Sequence, residues 1–140
     1  MQNFKDNPIF IVDEDKDDLE FIAEAIRESG FQNNIEVFNS GEELLSRLKI
    51  PRNRPFIILC ELNLQVTDGI EVRKMLAENL PDLLSSIPFV FWSSSASPGQ
   101  VRQAYKLWSQ GVFLKPSSIE KIGEAIQTIL KYWTLSGHPA

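Results

Sequence analysis

At 140 residues, with 43% hydrophobic and 24% charged side chains, the chain is long enough to bury one core and reads as a single globular domain. Its formal net charge of -5 argues against a nucleic-acid backbone or an anionic membrane surface as the main partner. The lone cysteine, Cys60, excludes an intrachain disulfide, and the lone histidine, His138, removes most zinc sites and histidine-based catalysis.

In chain order, a short N-terminal extension over residues 1–7 precedes an apolar run at 8–13 that predicts a first strand. Leu19, Ile22 and Ile26 then recur at helical spacing, and Gly30 sits where that first helix should end. A second run at 35–38 leads to Ser40-Gly41-Glu42-Glu43, a capping-box pattern opening a helix striped by Leu44, Leu45 and Leu48. A proline-bounded turn over 50–55 separates it from a third run at 56–60, which contains Cys60 as a buried, reduced thiol. Asp68-Gly69-Ile70-Glu71 caps a third helix carrying Ile70, Met75 and Leu76, followed by a rather long loop at 77–87. The run at 88–93 gives a fourth strand, and Ser97-Pro98-Gly99-Gln100 opens a fourth helix. Val101, Ala104, Tyr105 and Trp108 stripe that helix, with Trp108 expected in the core and Gly111 at its end. A fifth run at 112–114 is followed by Ser117-Ser118-Ile119-Glu120, a second capping-box pattern. Ile119, Ile122, Ile126, Ile129 and Trp133 stripe the fifth helix, so the domain is expected to span 8–134, with residues 135–140, His138 included, expected as a disordered tail.

The runs are short, rich in Ile, Val and Phe, and mostly non-alternating, as in a parallel sheet covered on both faces. Strand and helix in alternation predict a doubly wound α/β sandwich of five strands with right-handed crossovers. In such sheets the site lies beyond the carboxyl ends of the strands. There the chain carries Asp13-Glu14-Asp15, Glu61, Ser93-Ser94 and Lys115-Pro116. Crowded carboxylates repel unless a cation sits among them, and a hard, oxygen-seeking ion such as Mg²⁺ suits the set. A lysine and a serine opposite could hold a phosphoryl oxygen. Taken singly, these residues have a plainer reading, since Asp15 is also well placed to cap the first helix.

The stretches Ile9-Phe10-Ile11-Val12-Asp13-Glu14-Asp15, Asp68-Gly69, Pro88-Phe89-Val90-Phe91-Trp92-Ser93 and Lys115-Pro116, in this order and spacing, resemble the receiver domain of two-component response regulators. The resemblance covers nearly the whole chain and implies a flavodoxin-like (βα)5 fold, a three-layer sandwich with strand order 2-1-3-4-5. It implies that Asp13 and Glu14 help bind Mg²⁺, together with positions 61 and 63, here Glu61 and Asn63. Ser93 falls on the family's phosphoryl-contacting Ser/Thr, and Lys115 on its lysine, whose bond to the next residue, here Pro116, is usually cis. Counting eight residues back from Gly69 places Glu61, not aspartate, at the phospho-acceptor position. Gln65 replaces a usual proline, and Val112 replaces the aromatic switch residue.

Glutamate carries one methylene more than aspartate, reaching roughly 1.5 Å further. Misplacement of that size can slow in-line phosphoryl transfer about 100-fold. The longer arm is also expected to bond Lys115 without modification. The expected function is therefore that of a stand-alone cytoplasmic receiver, not an enzyme, acting in phosphorelay signal transduction through protein–protein contact. Glu61 would make it degenerate and weaken any Mg²⁺ site. Expected partners are a histidine kinase, a phosphotransfer protein or a downstream effector, with neither nucleic acid nor membrane involved. A homodimer through the fourth helix, fifth strand and fifth helix is a further expectation. Two other readings stand beside it: a working receiver phosphorylated on Glu61 or another residue, and, more remotely, a small phosphatase or other hydrolase using Asp13 and Asp15.

Overall fold

In the computed structural model, residues 6–137 are described. Five parallel strands form one sheet: β1 (Ile9–Val12), β2 (Ile35–Phe38), β3 (Ile57–Cys60), β4 (Phe89–Ser93) and β5 (Val112–Leu114). Their order is β2-β1-β3-β4-β5, as the resemblance implied. Between them lie α1 (Lys16–Glu28), α2 (Gly41–Leu48), α3 (Gly69–Asn79), α4 (Pro81–Leu84) and α5 (Pro98–Lys106), with α6 (Ile119–Leu135) closing the chain.

Each central strand alternates its side chains between two cores. Ile9, Ile11, Ile57, Leu59, Val90 and Trp92 pack with Ile22, Ile26, Ile126 and Ile129 of α1 and α6. Phe10, Val12, Ile58, Cys60, Phe89 and Phe91 pack with Leu44, Leu48, Val72 and Leu76 of α2 and α3. Both faces are apolar, so the strands need no polar alternation, and every residue of β1, β3 and β4 is buried.

Several local expectations are refined. The long loop at 77–87 contains α4, a single turn opened by Pro81. Ser97 and Gln100 make the full reciprocal capping box. Ser40 caps α2 through the Glu43 N–H, but the Glu43 carboxylate accepts from Asn39 instead. Ser118 caps α6 through the Lys121 N–H.

Gly111 does not end the fourth amphipathic helix. Instead α5 stops at Lys106, and Trp108 takes the left-handed conformation at φ 61°. The turn swings Trp108 away from the sheet, so the indole expected in the core is 81% exposed. Ile119, placed on the core stripe, is also exposed, at the first position of α6. That helix continues to Leu135, one residue into the stretch expected to be disordered. His138 lies outside the described residues.

Candidate functional site

Three backbone bonds just past the strand ends bring the polar residues together. The Asp13 N–H donates to Phe38 O, Glu61 N–H to Val12 O and Lys115 N–H to Ser93 O, extending the ladder by one residue at each point. Residues 13 and 61 thereby stand side by side at the β1/β3 junction, where strand order reverses and an open sheet leaves a crevice.

Lys115 occupies the centre. Its Nζ donates to Asp13 Oδ2 at 2.7 Å, Asp18 Oδ2 at 2.9 Å and Glu61 Oε1 at 3.0 Å. The Lys115, Asp13 and Glu61 side chains are 6%, 5% and 8% exposed, while Asp18 is more open at 31%. Three carboxylates thus share one ammonium in a nearly dry site, where charge-assisted bonds are strong and an unpaired charge would be costly.

The shared cation sorts the titrations. Burial raises the Asp13 pKa, and Lys115 only partly counters it. Burial also pushes Glu61 up, but the neighbouring Ser93 hydroxyl, Lys115 and the Asn63 N–H together bring it below the ordinary value. Ser93 Oγ also donates to Ser95 O at 2.7 Å. Burial alone would lower the Lys115 pKa, but its carboxylate partners hold it above the usual lysine value.

The remaining expected residues line the rim. Glu14 accepts the Gln65 N–H through both carboxylate oxygens, at 3.2 and 3.1 Å. Asn63 donates to Ser93 Oγ at 3.1 Å and Ser95 O at 2.9 Å, tying the loop after β3 to the loop after β4. Asp15 caps α1 by accepting the Asp17 and Asp18 N–H groups, which is its plainer reading. Val112 is half-buried against the α2–α3 core. The expected cis bond before Pro116 is corrected: no cis peptide occurs among the described residues. Trans is the intrinsically preferred isomer, by about 0.5–1 kcal/mol, and Lys115 makes both its backbone and its ammonium bonds in that form.

Two participants escaped the sequence reading. Asp18, the third partner of Lys115, resembles any first-turn acid that complements a helix dipole, so its role had no separate signal. Gln100 donates to Asn63 Oδ1 at 3.1 Å, but in sequence it is only the far half of a capping box.

Asp13, Glu14, Asp15, Asp18, Glu61 and Asn63 bound an open cleft of about 320 Å³. Its donors are all oxygen, which is the chemistry a hard cation needs. Their arrangement is another matter, since no group of three acidic, His or Cys side chains among the described residues is set to hold a metal ion. Asp13 Oδ1 accepts the Asp15 N–H, Glu61 Oε2 accepts the Asn63 N–H, and their other oxygens face Lys115. As arranged, the residues do not fit a divalent ion, because the ammonium stands between the carboxylates.

Comparison with known proteins bears on this geometry. The response regulator receiver domain model matches residues 9–127. A probable methanogenesis regulatory protein, FilR2 of Methanothrix harundinacea, is 28% identical over 129 residues, covering 89% of this chain and 82% of that protein. Response regulator Rcp1 of Synechocystis is 26% identical over 130 residues, covering 89% and 87%. Among solved structures, the phosphorylated cyanobacterial phytochrome response regulator RcpA superposes with a TM-score of 0.86 at 25% identity, covering 96% of this chain and 99% of that one. The Mn²⁺-bound form of Rcp1 gives 0.81 at 24% identity, with the same coverage. With the family model spanning most of the chain, the matching strand order and an acidic cleft at the sheet's switch point, this protein belongs to the response regulator receiver domain family.

Proposed function

We propose that this receiver carries Glu61 at the phospho-acceptor position and is thereby removed from control by phosphorylation, signalling through protein contacts alone. The observation that carries this reading is the 3.0 Å bond from Lys115 to Glu61 Oε1, made without any modification. A lysine already engaged by Glu61, Asp13 and Asp18 has little left to offer an incoming phosphoryl oxygen.

Mg²⁺ binding is weakened in this reading, with Asp13, Glu14, Glu61 and Asn63 as its ligands only if the ammonium moves aside. Without an aromatic ring at Val112, the output surface does not follow the cleft through a ring rotation. The surface for a histidine kinase, phosphotransfer protein or effector is α5, β5 and α6, where Tyr105 and Leu114 are 60% and 59% exposed. Those side chains also suit contact with a second copy of the chain. The site of action in this reading is the cytoplasm; no described helix is long and apolar enough to cross a membrane.

Intact-protein mass spectrometry after incubation with acetyl phosphate and Mg²⁺ tests the proposal, comparing wild type with Glu61→Asp. The wild type is expected to stay unmodified while the aspartate variant gains one phosphoryl group. Phosphorylation of the wild type would overturn the reading and make the protein a working switch with an unorthodox acceptor.

A further inference from the structure

A second polar feature lies away from the acidic cleft, by the start of β4. Phe89 is the first residue of that strand and Ser93 the last, a separation of roughly 13 Å along the sheet. Arg73, on α3, is only 4% exposed, and its guanidinium lies over the Phe89 ring, 5.1 Å from the centroid. Nε donates to Leu107 O at 3.1 Å and Nη2 to Trp108 O at 2.9 Å. Nη1 is buried and has no hydrogen-bond partner among the described residues.

Among the described residues no carboxylate forms an ion pair with Arg73. Burial lowers its pKa to about 10, with no neighbouring anion countering the shift. A buried cation without a counter-charge is among the costlier features a fold can carry. The Phe89 ring compensates only in part, since a cation–π contact contributes about 0.5–2 kcal/mol.

Arg73 forms part of the wall of an open groove of about 350 Å³, whose other walls include Ala77, Pro81, Leu84, Leu107 and Trp108. That volume lies at the small end of the range for small-molecule sites. Trp108 stands on the rim, 81% exposed and held at φ 61°. A bulky residue in this conformation costs of order 1–3 kcal/mol and persists only where its surroundings enforce it. Here Arg73 Nη2 and Gln110 Nε2 both donate to the Trp108 carbonyl. A missing anion, apolar walls and an exposed indole with little packing to lose therefore meet at one place.

We propose that this groove binds a small organic monocarboxylate, the carboxylate pairing with Arg73 Nη1 and the apolar body lying between Pro81, Leu84 and Trp108. Nη1 is sealed in the unliganded groove, so entry needs a side-chain adjustment in the groove wall. The site is independent of phosphorylation and of the role assigned to Glu61.

The test is a titration of the ¹⁵N-labelled full chain with hexanoate and, separately, with hexanamide, its neutral counterpart, followed by two-dimensional NMR. Hexanoate is expected to give saturable shifts at the Arg73 Nε–H and the Trp108 amide. It should bind at least about tenfold more tightly than the amide, the factor expected from a charge-assisted hydrogen bond. Ala77→Phe, which fills the groove and leaves Arg73 in place, is expected to abolish those shifts. Equal affinity for the two probes would overturn the proposal. So would unsaturable shifts, or binding retained in Ala77→Phe. The wild-type comparison stands even if a variant fails to fold.

Discussion

Lys115 acts in the cleft through one atom. Its Nζ neutralises Asp13, Asp18 and Glu61 together, so truncating it leaves three carboxylates facing one another in a largely buried site. Lys115→Met is expected to lose about 3–5 kcal/mol of unfolding free energy in urea titrations without divalent ions. Added Mg²⁺ should restore part of that loss, because the vacated centre is then lined by oxygen alone; the wild type should respond less. Glu61 supplies the pH dependence. Its folded pKa lies below its ordinary value, so its ionised form stabilises the fold above the usual carboxylate range. That contribution disappears as pH falls through the lowered pKa. Asp13 has the opposite sign: burial raises its pKa, and its ionisation opposes folding at neutral pH. The stability gap between wild type and Glu61→Gln, measured by urea unfolding, is therefore expected to be present at neutral pH and to close as pH falls below the usual carboxylate range.

At the scale of elements, the cleft depends on how α3 begins. A Cβ on Gly69 would collide with the Glu61 carbonyl oxygen and press on Leu62 Cα, and the Gly69 N–H donates to Leu62 O at 2.8 Å. Glycine is required here by close approach, since the start of α3 presses directly on the backbone that carries Glu61. Gly69→Ala is expected to cost about 1–3 kcal/mol, read as a lower urea midpoint at unchanged slope. It should also shift the Glu61 and Asn63 amide resonances by displacing that backbone. The same glycine supplied the count that located Glu61 in the sequence, so a packing constraint doubles as the marker of the site. Asp68, Ser97 and Ser118 show why the helix starts could be read: each cap is a local bond between a side chain and the N–H three residues on. The end of α5 could not be read, because Gly111 offered the stronger local signal while Arg73, distant in sequence, bonds the carbonyls of Leu107 and Trp108.

For the whole molecule, the two sheet faces are closed by α1 and α6 on one side and by α2 to α5 on the other, leaving β2 and β5 as edges. Leu114 on the β5 edge and Tyr105 of α5 are exposed at 59% and 60%, against 45% for Val37 on the β2 edge. Self-association through this edge is expected to appear in sedimentation as a concentration-dependent rise towards a dimer. Leu114→Glu should hold the protein at monomer mass and leave its far-ultraviolet circular dichroism unchanged.

The sequence by itself determined the layering, the strand positions and the identity of most residues at the cleft. Apolar runs, helical stripes and caps are local patterns, and a doubly wound sheet leaves few ways to assemble them. It also located Asp13, Glu61, Ser93 and Lys115, because each directly follows or ends a strand and so falls on the same edge. Only the tertiary structure decided how that edge is wired. Lys115 lies 97 residues from Asp18, and their bond depends on how α1 packs against the strand ends. Arg73 and Trp108 were likewise settled by packing: the arginine sits on the inner side of a helix, and the tryptophan is turned outward by a backbone conformation that no periodicity encodes. Local chemistry is written in short-range pattern, whereas the sharing of one cation among three carboxylates, and the lack of a carboxylate among the described residues for a buried guanidinium, arise from contacts between segments far apart in the chain.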